Sequence, residues 1–363
     1  MFINFRFYRL NYVVFLIVLF SQCSMLKKRA SSEDNAKLAF PFYYSALQNI
    51  RSGEFEMAIT LLDSAIKYQP AYSNFYTVKG QVFELMGNPD SAIVAYEKSL
   101  TKKSHNPDVW RSLAELYMKK RDYDIAINYL KQSVEENPDS TQYLLSLAIC
   151  YYKTAKYPLA INQLKRYKKT TLTPDPVYQK WLGLSYYEVG FYEIAEDLLQ
   201  NYLSDVAQKD EALKYLGLSR FNQKKYEQAM SSLNDYLEIY SQDAEVYLYR
   251  SRYFLIQNKK EIAREQLDLG LKIDSTNVSI LFELAVLYFN ENVLEKSQKY
   301  LQKITTLNPQ HWETYKILGL IKERENNLQE ALHYYTLYLE NTSTKDVEIK
   351  RRKDDVSKKL INQ

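Results

Sequence analysis

A chain of 363 residues with 46% apolar residues can bury a large core, and 8 Gly and 9 Pro are too few for the many turns of a β-rich protein. The formal charge of +4 falls to +2 once Arg6 and Arg9 are set aside, 46 basic against 44 acidic residues, which excludes a broad positive field for nucleic acid. Two cysteines, Cys23 and Cys150, exclude a disulfide framework and a four-cysteine metal cage; Cys150 lies in an apolar helical stretch and reads as a core residue.

Arg6 and Arg9 precede an uncharged apolar run from Tyr12 to Phe20. As helix that run spans about 14 Å, well short of the ~30 Å hydrocarbon core of a bilayer. Residues 1–23 therefore read as a secretory signal peptide ending at Ser21-Gln22-Cys23-Ser24. The segment resembles a bacterial lipoprotein signal, which implies lipidation of Cys23. Phe20 and Gln22 depart from that pattern, which favours Leu and a small residue at those places. Two other readings stay open. One is ordinary cleavage near Ser21–Ser24. The other is an uncleaved anchor running on through Leu26, with Lys27, Lys28 and Arg29 retained on the near side by the positive-inside bias. Residues 24–35 are polar and charged without helical periodicity. They read as a linker whose full extension is about 40 Å.

From residue 36 one small residue recurs: Ala58, Ala92, Ala126, Ala160, Ala195, Ala229, Ala263, Ser297 and Ala331, at intervals of 34 with a single 35. Other columns keep step with this anchor. Twelve residues before it every position is small, from Ala46 and Gly80 to Ala285 and Gly319. Thirteen before it Leu dominates, nine before it Phe or Tyr, and four after it Leu or Tyr; Pro70, Pro138 and Pro309 fall twelve after it. Within one unit, Trp110, Leu113, Ala114 and Tyr117 share a helix face, and Tyr123, Ala126, Ile127 and Leu130 share another. Asn106-Pro107 is expected to cap and start the first helix, Asp122 to cap the second, and Asn137-Pro138 to end it. Two short helices cannot bury both faces, so each pair must stack on the next.

These columns resemble the tetratricopeptide repeat family over about Ala36–Leu339. The resemblance implies an all-α α-solenoid, a right-handed superhelix of about nine helix–turn–helix units spanning residues 36–343, with first helices lining a concave groove. Tyr167, Tyr202, Tyr236 and Tyr338, seven after their anchors, depart from the family, which prefers a small residue there; their bulk is expected to alter spacing between units. Arg250 and Arg252 mark the unit around Ala263 as the expected irregular point. Residues 344–363 are strongly charged, yet Ile349, Val356 and Leu360 share a face, which predicts a capping helix.

Catalytic signatures are missing from the sequence. His105, His311 and His333 stand in separate units without ligand-spaced neighbours, and no nucleophile elbow, phosphate loop or dinucleotide fingerprint is present. The expectation is a protein that is not an enzyme and needs no cofactor or metal. The family's clamp for C-terminal carboxylates is also unfilled, because Tyr43, Leu47, Val78, Asp108 and Ser112 occupy its places. Eleven and eight residues before the anchor, the middle units carry Ile149, Tyr152, Leu184, Tyr187, Leu218, Phe221, Val286 and Phe289. They predict an apolar, aromatic groove for an amphipathic helix or extended segment of a partner, with burial between neighbouring units as the alternative. The chain resembles bacterial envelope tetratricopeptide lipoproteins. That implies a protein-interaction scaffold or assembly adaptor, membrane-anchored and facing the periplasm, with other proteins rather than nucleic acid as partners. The alternative is an inner-membrane regulatory adaptor held by an uncleaved signal anchor.

Overall fold

The computed structural model describes residues 35–173, 175–207, 209–343 and 346–361. The signal segment 1–23 with Cys23, and the linker up to residue 34, lie outside the described residues; residue 35 is already helical. The described residues form nineteen helices and no strand. They fall into two compact units divided between Trp181 and Leu182. The first holds α1 (35–51), α2 (Phe55–Tyr68), α3 (Ser73–Leu85), α4 (Pro89–Lys102), α5 (Pro107–Lys119), α6 (Tyr123–Glu136), α7 (Thr141–Lys153), α8 (Tyr157–Thr170) and the start of α9 (Val177–Glu188). The second continues with α10 (Tyr192–Asp205), α11 (Ala212–Asn222), α12 (Tyr226–Ile239), α13 (Ala244–Ile256), α14 (Lys260–Ile273), α15 (Val278–Asn290), α16 (Leu294–Leu307), α17 (Trp312–Arg324), α18 (Leu328–Asn341) and α19 (Val347–Ile361). Odd and even helices pair as hairpins, nine among the described residues. Among the described residues, no helix is long and apolar enough to cross a membrane.

Each hairpin closes where the repeat's small columns meet its large one. All the anchor residues are fully buried. The column twelve before the anchor faces the column four after it. A Cβ placed on Gly183 would lie 2.8 Å from Leu199, and one on Gly217 would lie 2.7 Å from Leu233. Opposite Gly80 and Gly319 the facing residues are Tyr96 and Tyr335, whose rings would come within 2.6 Å of an added Cβ. Where the anchor is Ser297, its hydroxyl donates to the Ala285 carbonyl at 2.8 Å, using the same close approach. The regular hairpin α13/α14 includes Ser251, buried and bonded to the Leu248 carbonyl, so Arg250 and Arg252 cause no break there.

The turn inside every hairpin depends on one residue with positive φ, five before the anchor: Gly53, Gly87, Arg121, Ala155, Gly190, Lys224, Asn258, Asn292 and Asn326. This left-handed residue ends the first helix and reverses the chain. The expected side-chain caps are only partly realised. Asn106 and Asp122 occupy the N-cap positions but their side chains accept no cap bond, whereas Asn88, Ser140, Asn277 and Asn327 do cap their helices. Pro107 still fits the first turn, where a missing N–H costs nothing.

The four tyrosines seven after the anchor act on the connection to the next hairpin. The hydroxyl of Tyr202 donates to Asp210, that of Tyr236 to Asp243 and that of Tyr338 to Asp346, at 2.9, 3.1 and 3.3 Å. The hydroxyl of Tyr167 accepts from the Asp175 backbone N–H at 3.0 Å. Each of these aspartates also accepts a backbone N–H at the start of the following helix, from Val177, Ala212, Glu245 and Ile349. The bulky residue thus latches a helix cap in place. At the C-terminal end α19 lays Ile349 and Val356, both buried, against Leu328, Ala331, Tyr335 and Tyr338, with Leu360 beside them.

The glycine–tyrosine pairing yields a direct test. Gly319→Ala should destabilise the protein by about 1–3 kcal/mol, because the methyl group overlaps the Tyr335 ring. Adding Tyr335→Leu should recover much of the loss, since it recreates the Ala114–Leu130 pairing of another unit. Equilibrium urea unfolding of the two variants measures both effects, and equal stability of Gly319→Ala and wild type would contradict the packing described.

Candidate recognition surface

Three aromatic triads recur with one geometry. Tyr152 at the end of α7 meets Tyr157 at the start of α8 (ring centroids 5.5 Å apart) and Trp181 of α9 (5.2 Å). In the second compact unit Tyr187 meets Tyr192 and Tyr215, at 5.7 and 5.2 Å. Phe221 meets Tyr226 and Tyr249, at 5.1 and 5.0 Å. The contacts are edge-to-face or tilted, the arrangement that aromatic quadrupoles favour. Each triad joins the end of a first helix, the start of its partner and the first helix of the next hairpin. All these rings are half-buried, so part of each remains open to a ligand.

Cationic groups flank the triads. The Lys153 ammonium lies 5.1 Å from the Trp181 ring centroid, and the Arg252 guanidinium 5.4 Å from that of Tyr249. Arg252 is also held by Glu283 at 2.8 Å. Lys214 is bound to Asp243 and Glu245 at 2.9 and 2.7 Å and lies 5.9 Å from the Tyr215 ring. Burial of Lys214 works against its charge, but the two carboxylates outweigh it and push the ammonium pKa up. The surface therefore offers ring faces, while the charges of Arg252 and Lys214 are already paired with carboxylates of the chain itself. Among the described residues no three His, Cys, Asp or Glu side chains gather to hold a metal ion. Cys150 is buried, which pushes its thiol up to about 12 and leaves it a packing residue.

The eight expected groove residues separate by depth. Tyr152, Tyr187, Phe221, Ile149 and Val286 are half-buried. Leu184 is 1% exposed and Leu218 0%, so both are core. Leu218 shares a cluster with Leu213, Leu233 and Val246, with Tyr187, Phe221 and Tyr249 packed around it. Stacking of consecutive first helices covers these two positions, while Ile149 and Val286 in the same column are only half-buried. Phe289 is also buried, with the Arg324 guanidinium 4.0 Å from its ring centroid. Aspartates at Leu184 and Leu218 would open the core and cannot probe recognition. Sequence columns that the groove expectation passed over supply the other rings: Trp181, Tyr215 and Tyr249 fourteen before their anchors, and Tyr157, Tyr192 and Tyr226 three before. Three consecutive aromatics in one column were the available signal.

Beside the triads of the second unit lies a buried ionic cluster. Glu196, 9% exposed, accepts from Arg220 at 2.9 Å, Lys225 at 2.7 Å and Gln223 at 2.8 Å, and Arg220 also donates to Ser232 and Gln200. Arg220 stands in a column where most units place Phe or Tyr, and Glu196 from the preceding hairpin neutralises it.

Such stacked hairpins define a helical-repeat scaffold. Family models for the tetratricopeptide repeat match residues 47–107, 182–244 and 278–311, and the model for subunit 3 of the anaphase-promoting complex matches residues 85–167. The chain belongs to the tetratricopeptide repeat proteins. A TPR repeat-containing protein of Methanocaldococcus jannaschii is 27% identical over 103 residues, which are 28% of this chain and 18% of that protein's length. Among solved structures, Cut9–Hcn1 of the anaphase-promoting complex has 14% identity and a TM-score of 0.53, covering 74% of this chain and 52% of that one. A tetratricopeptide repeat protein of Parabacteroides merdae has 16% identity and a TM-score of 0.45, covering 72% and 99%. The match thus spans about half of the matched chain of Cut9–Hcn1 and 18% of the archaeal protein.

The Glu196 cluster makes stability pH-dependent. Burial raises the Glu196 pKa, but hydrogen bonds from Lys225, Arg220 and Gln223 outweigh it and hold the carboxyl below its ordinary value. A folded-state pKa below the unfolded one stabilises above the unfolded value of about 4.3, and the contribution is lost as pH falls through the folded value. Glu196→Gln should therefore cost about 1–3 kcal/mol at pH 7 and progressively less on acidification. Melting temperatures of both proteins across that range check this; a gap that stays constant would show that Glu196 is not ionised in the fold.

Proposed function

We propose that this chain is a scaffold anchored at the bacterial cell envelope, which binds apolar and aromatic segments of partner proteins at the triads of its first helices. The tetratricopeptide fold supports a role in protein–protein interaction. The observation that carries the finer reading is the recurrence of half-buried aromatic triads, each beside a lysine or arginine. Such rings give contact area at low entropic cost, as hot spots do. An extended or helical segment with bulky apolar residues is the complementary partner. Double replacement Tyr215→Ala with Tyr249→Ala tests this by affinity capture from membranes of the native host. Capture of the principal partner should fall at least tenfold, about 1.4 kcal/mol or more, while helicity persists. Undiminished capture by the folded variant would move recognition elsewhere.

The envelope part of the reading rests on Arg6, Arg9, the apolar run Tyr12–Phe20 and Cys23. A thioether-linked lipid at Cys23 would place the array at a membrane face, on the periplasmic side. Lys27, Lys28 and Arg29 favour a second reading, an uncleaved inner-membrane anchor. Metabolic labelling with a fatty acid separates the two. The lipoprotein reading expects label that Cys23→Ala abolishes along with maturation; an intact, unlabelled N-terminal peptide on the mature protein refutes it.

A further inference from the structure

The start of α1 and the end of α2 form one edge of the first hairpin, and it carries several large exposed side chains. Leu38 is 51% exposed, Tyr44 63%, and Tyr68 and Tyr72 36% each. Phe40 joins two of these rings, with centroids 6.1 Å from Tyr44 and 5.4 Å from Tyr72. Phe42 stacks on Tyr68 at 5.8 Å with the planes 8° apart. The edge therefore carries two aromatic groups on the flanks of α1, Phe40 with Tyr44 and Tyr72 and Phe42 with Tyr68, and the exposed Leu38. It is also free of acid: residues 35–53 and 64–83 contain no Asp or Glu, while Lys37 and Lys67 are exposed on it.

Aromatic side chains with a polar tip settle at the headgroup level of a bilayer, and lysines there meet anionic phosphates. The chain enters this edge at residue 35. Residues 24–34 hold Lys27, Lys28 and Arg29 against Glu33 and Asp34, a net of +1, and reach about 40 Å at most from Cys23. Whether the membrane attachment is an acyl group or a retained apolar segment, this edge is the part of the array that the attachment holds nearest the bilayer. We propose that the aromatic edge formed by Leu38, Phe40, Phe42, Tyr44, Tyr68 and Tyr72 docks onto the membrane interface; this inference rests on the membrane tether proposed above. Docking at this edge turns a flexible tether into a fixed orientation and leaves the triads of the later hairpins free for partners.

Full-length protein carrying Tyr44→Trp is mixed with vesicles of phosphatidylethanolamine and anionic phosphatidylglycerol with brominated acyl chains. The added emission is read as the difference from protein without the substitution. Bromine should quench it several-fold more than the emission of Ile361→Trp, at a residue 80% exposed near the other chain end. Leu38→Glu, at an exposed position, should reduce the quenching of Tyr44→Trp to that reference level. Fatty-acid labelling of the same preparation reports the tether independently. Quenching without label sustains the docking edge and removes the lipoprotein reading. Label without preferential quenching overturns the edge and leaves the anchor standing, and loss of both overturns both. An edge that serves another protein or a second copy of this chain would give no bromine quenching with vesicles alone.

Discussion

Everything in this array depends on how closely two helices can approach within a hairpin. The approach is set where a residue twelve before the anchor faces one four after it, and the sum of their volumes is nearly fixed. Alanine or serine faces leucine in most units. Glycine permits leucine at Gly183 and Gly217 and admits a whole phenol ring at Gly80 and Gly319. Those two rings then need a partner for their hydroxyls. Tyr96 donates to Glu84 at 2.5 Å, and Tyr335 to Glu323 at 2.6 Å. Glu84 and Glu323 are the only acids in the column that holds Tyr152, Tyr187 and Phe221 elsewhere. In the two units whose core holds the phenol ring, a carboxylate therefore stands at the end of the first helix, where other units place an aromatic or aliphatic residue. Core and surface are coupled through three positions of a single hairpin.

The same logic explains the tyrosines seven after the anchor. Read as bulk alone, they predict a spacing defect between units. Their hydroxyls instead reach the aspartate that caps the next helix, so ring and cap form one device. Asp346 shows it most fully, taking Lys316 at 2.7 Å, Tyr338 at 3.3 Å and the Ile349 N–H at 3.0 Å. Burial raises the Asp346 pKa, but these partners outweigh it and the carboxyl is held below its usual range. A polar residue thus replaces the usual small contact without leaving a buried group unsatisfied.

The repeat was legible because its main signal is steric and periodic: no large residue fits at Ala58 or its equivalents, whatever else changes. The turns were less legible. A left-handed residue is recognisable as Gly53, Gly87 or Gly190, but Arg121, Ala155 and Lys224 adopt the same φ under tertiary constraint and carry no type signal. The recognition surface was legible in part. Apolar periodicity marks a face of a helix without saying whether the next hairpin covers it, and Leu184 and Leu218 are covered while Tyr187 and Phe221 beside them are not. Residue type does not decide it either: the ring of Phe289 is buried, while Ile149 and Val286, in the same column as the two leucines, stay half-buried. Capping was less legible too: Asp122 makes no cap bond, whereas Asn88 and Asn327 do so after the same left-handed turn, so residue type at the N-cap position does not by itself decide the bond.

The C-terminal helix has a kinetic consequence. Nearly all packing in the array joins residues in the same or adjacent hairpins, so sequence separations stay short and each hairpin can form soon after its own residues become available. Assembly can then advance from the first hairpin as the chain emerges. The last hairpin is different, because Tyr335 and Tyr338 have no cover until Val347–Ile361 arrives. Closure of that hairpin's core waits for residues beyond it, and a chain cut short of Ile349 would carry an open, sticky end however well its earlier hairpins had folded.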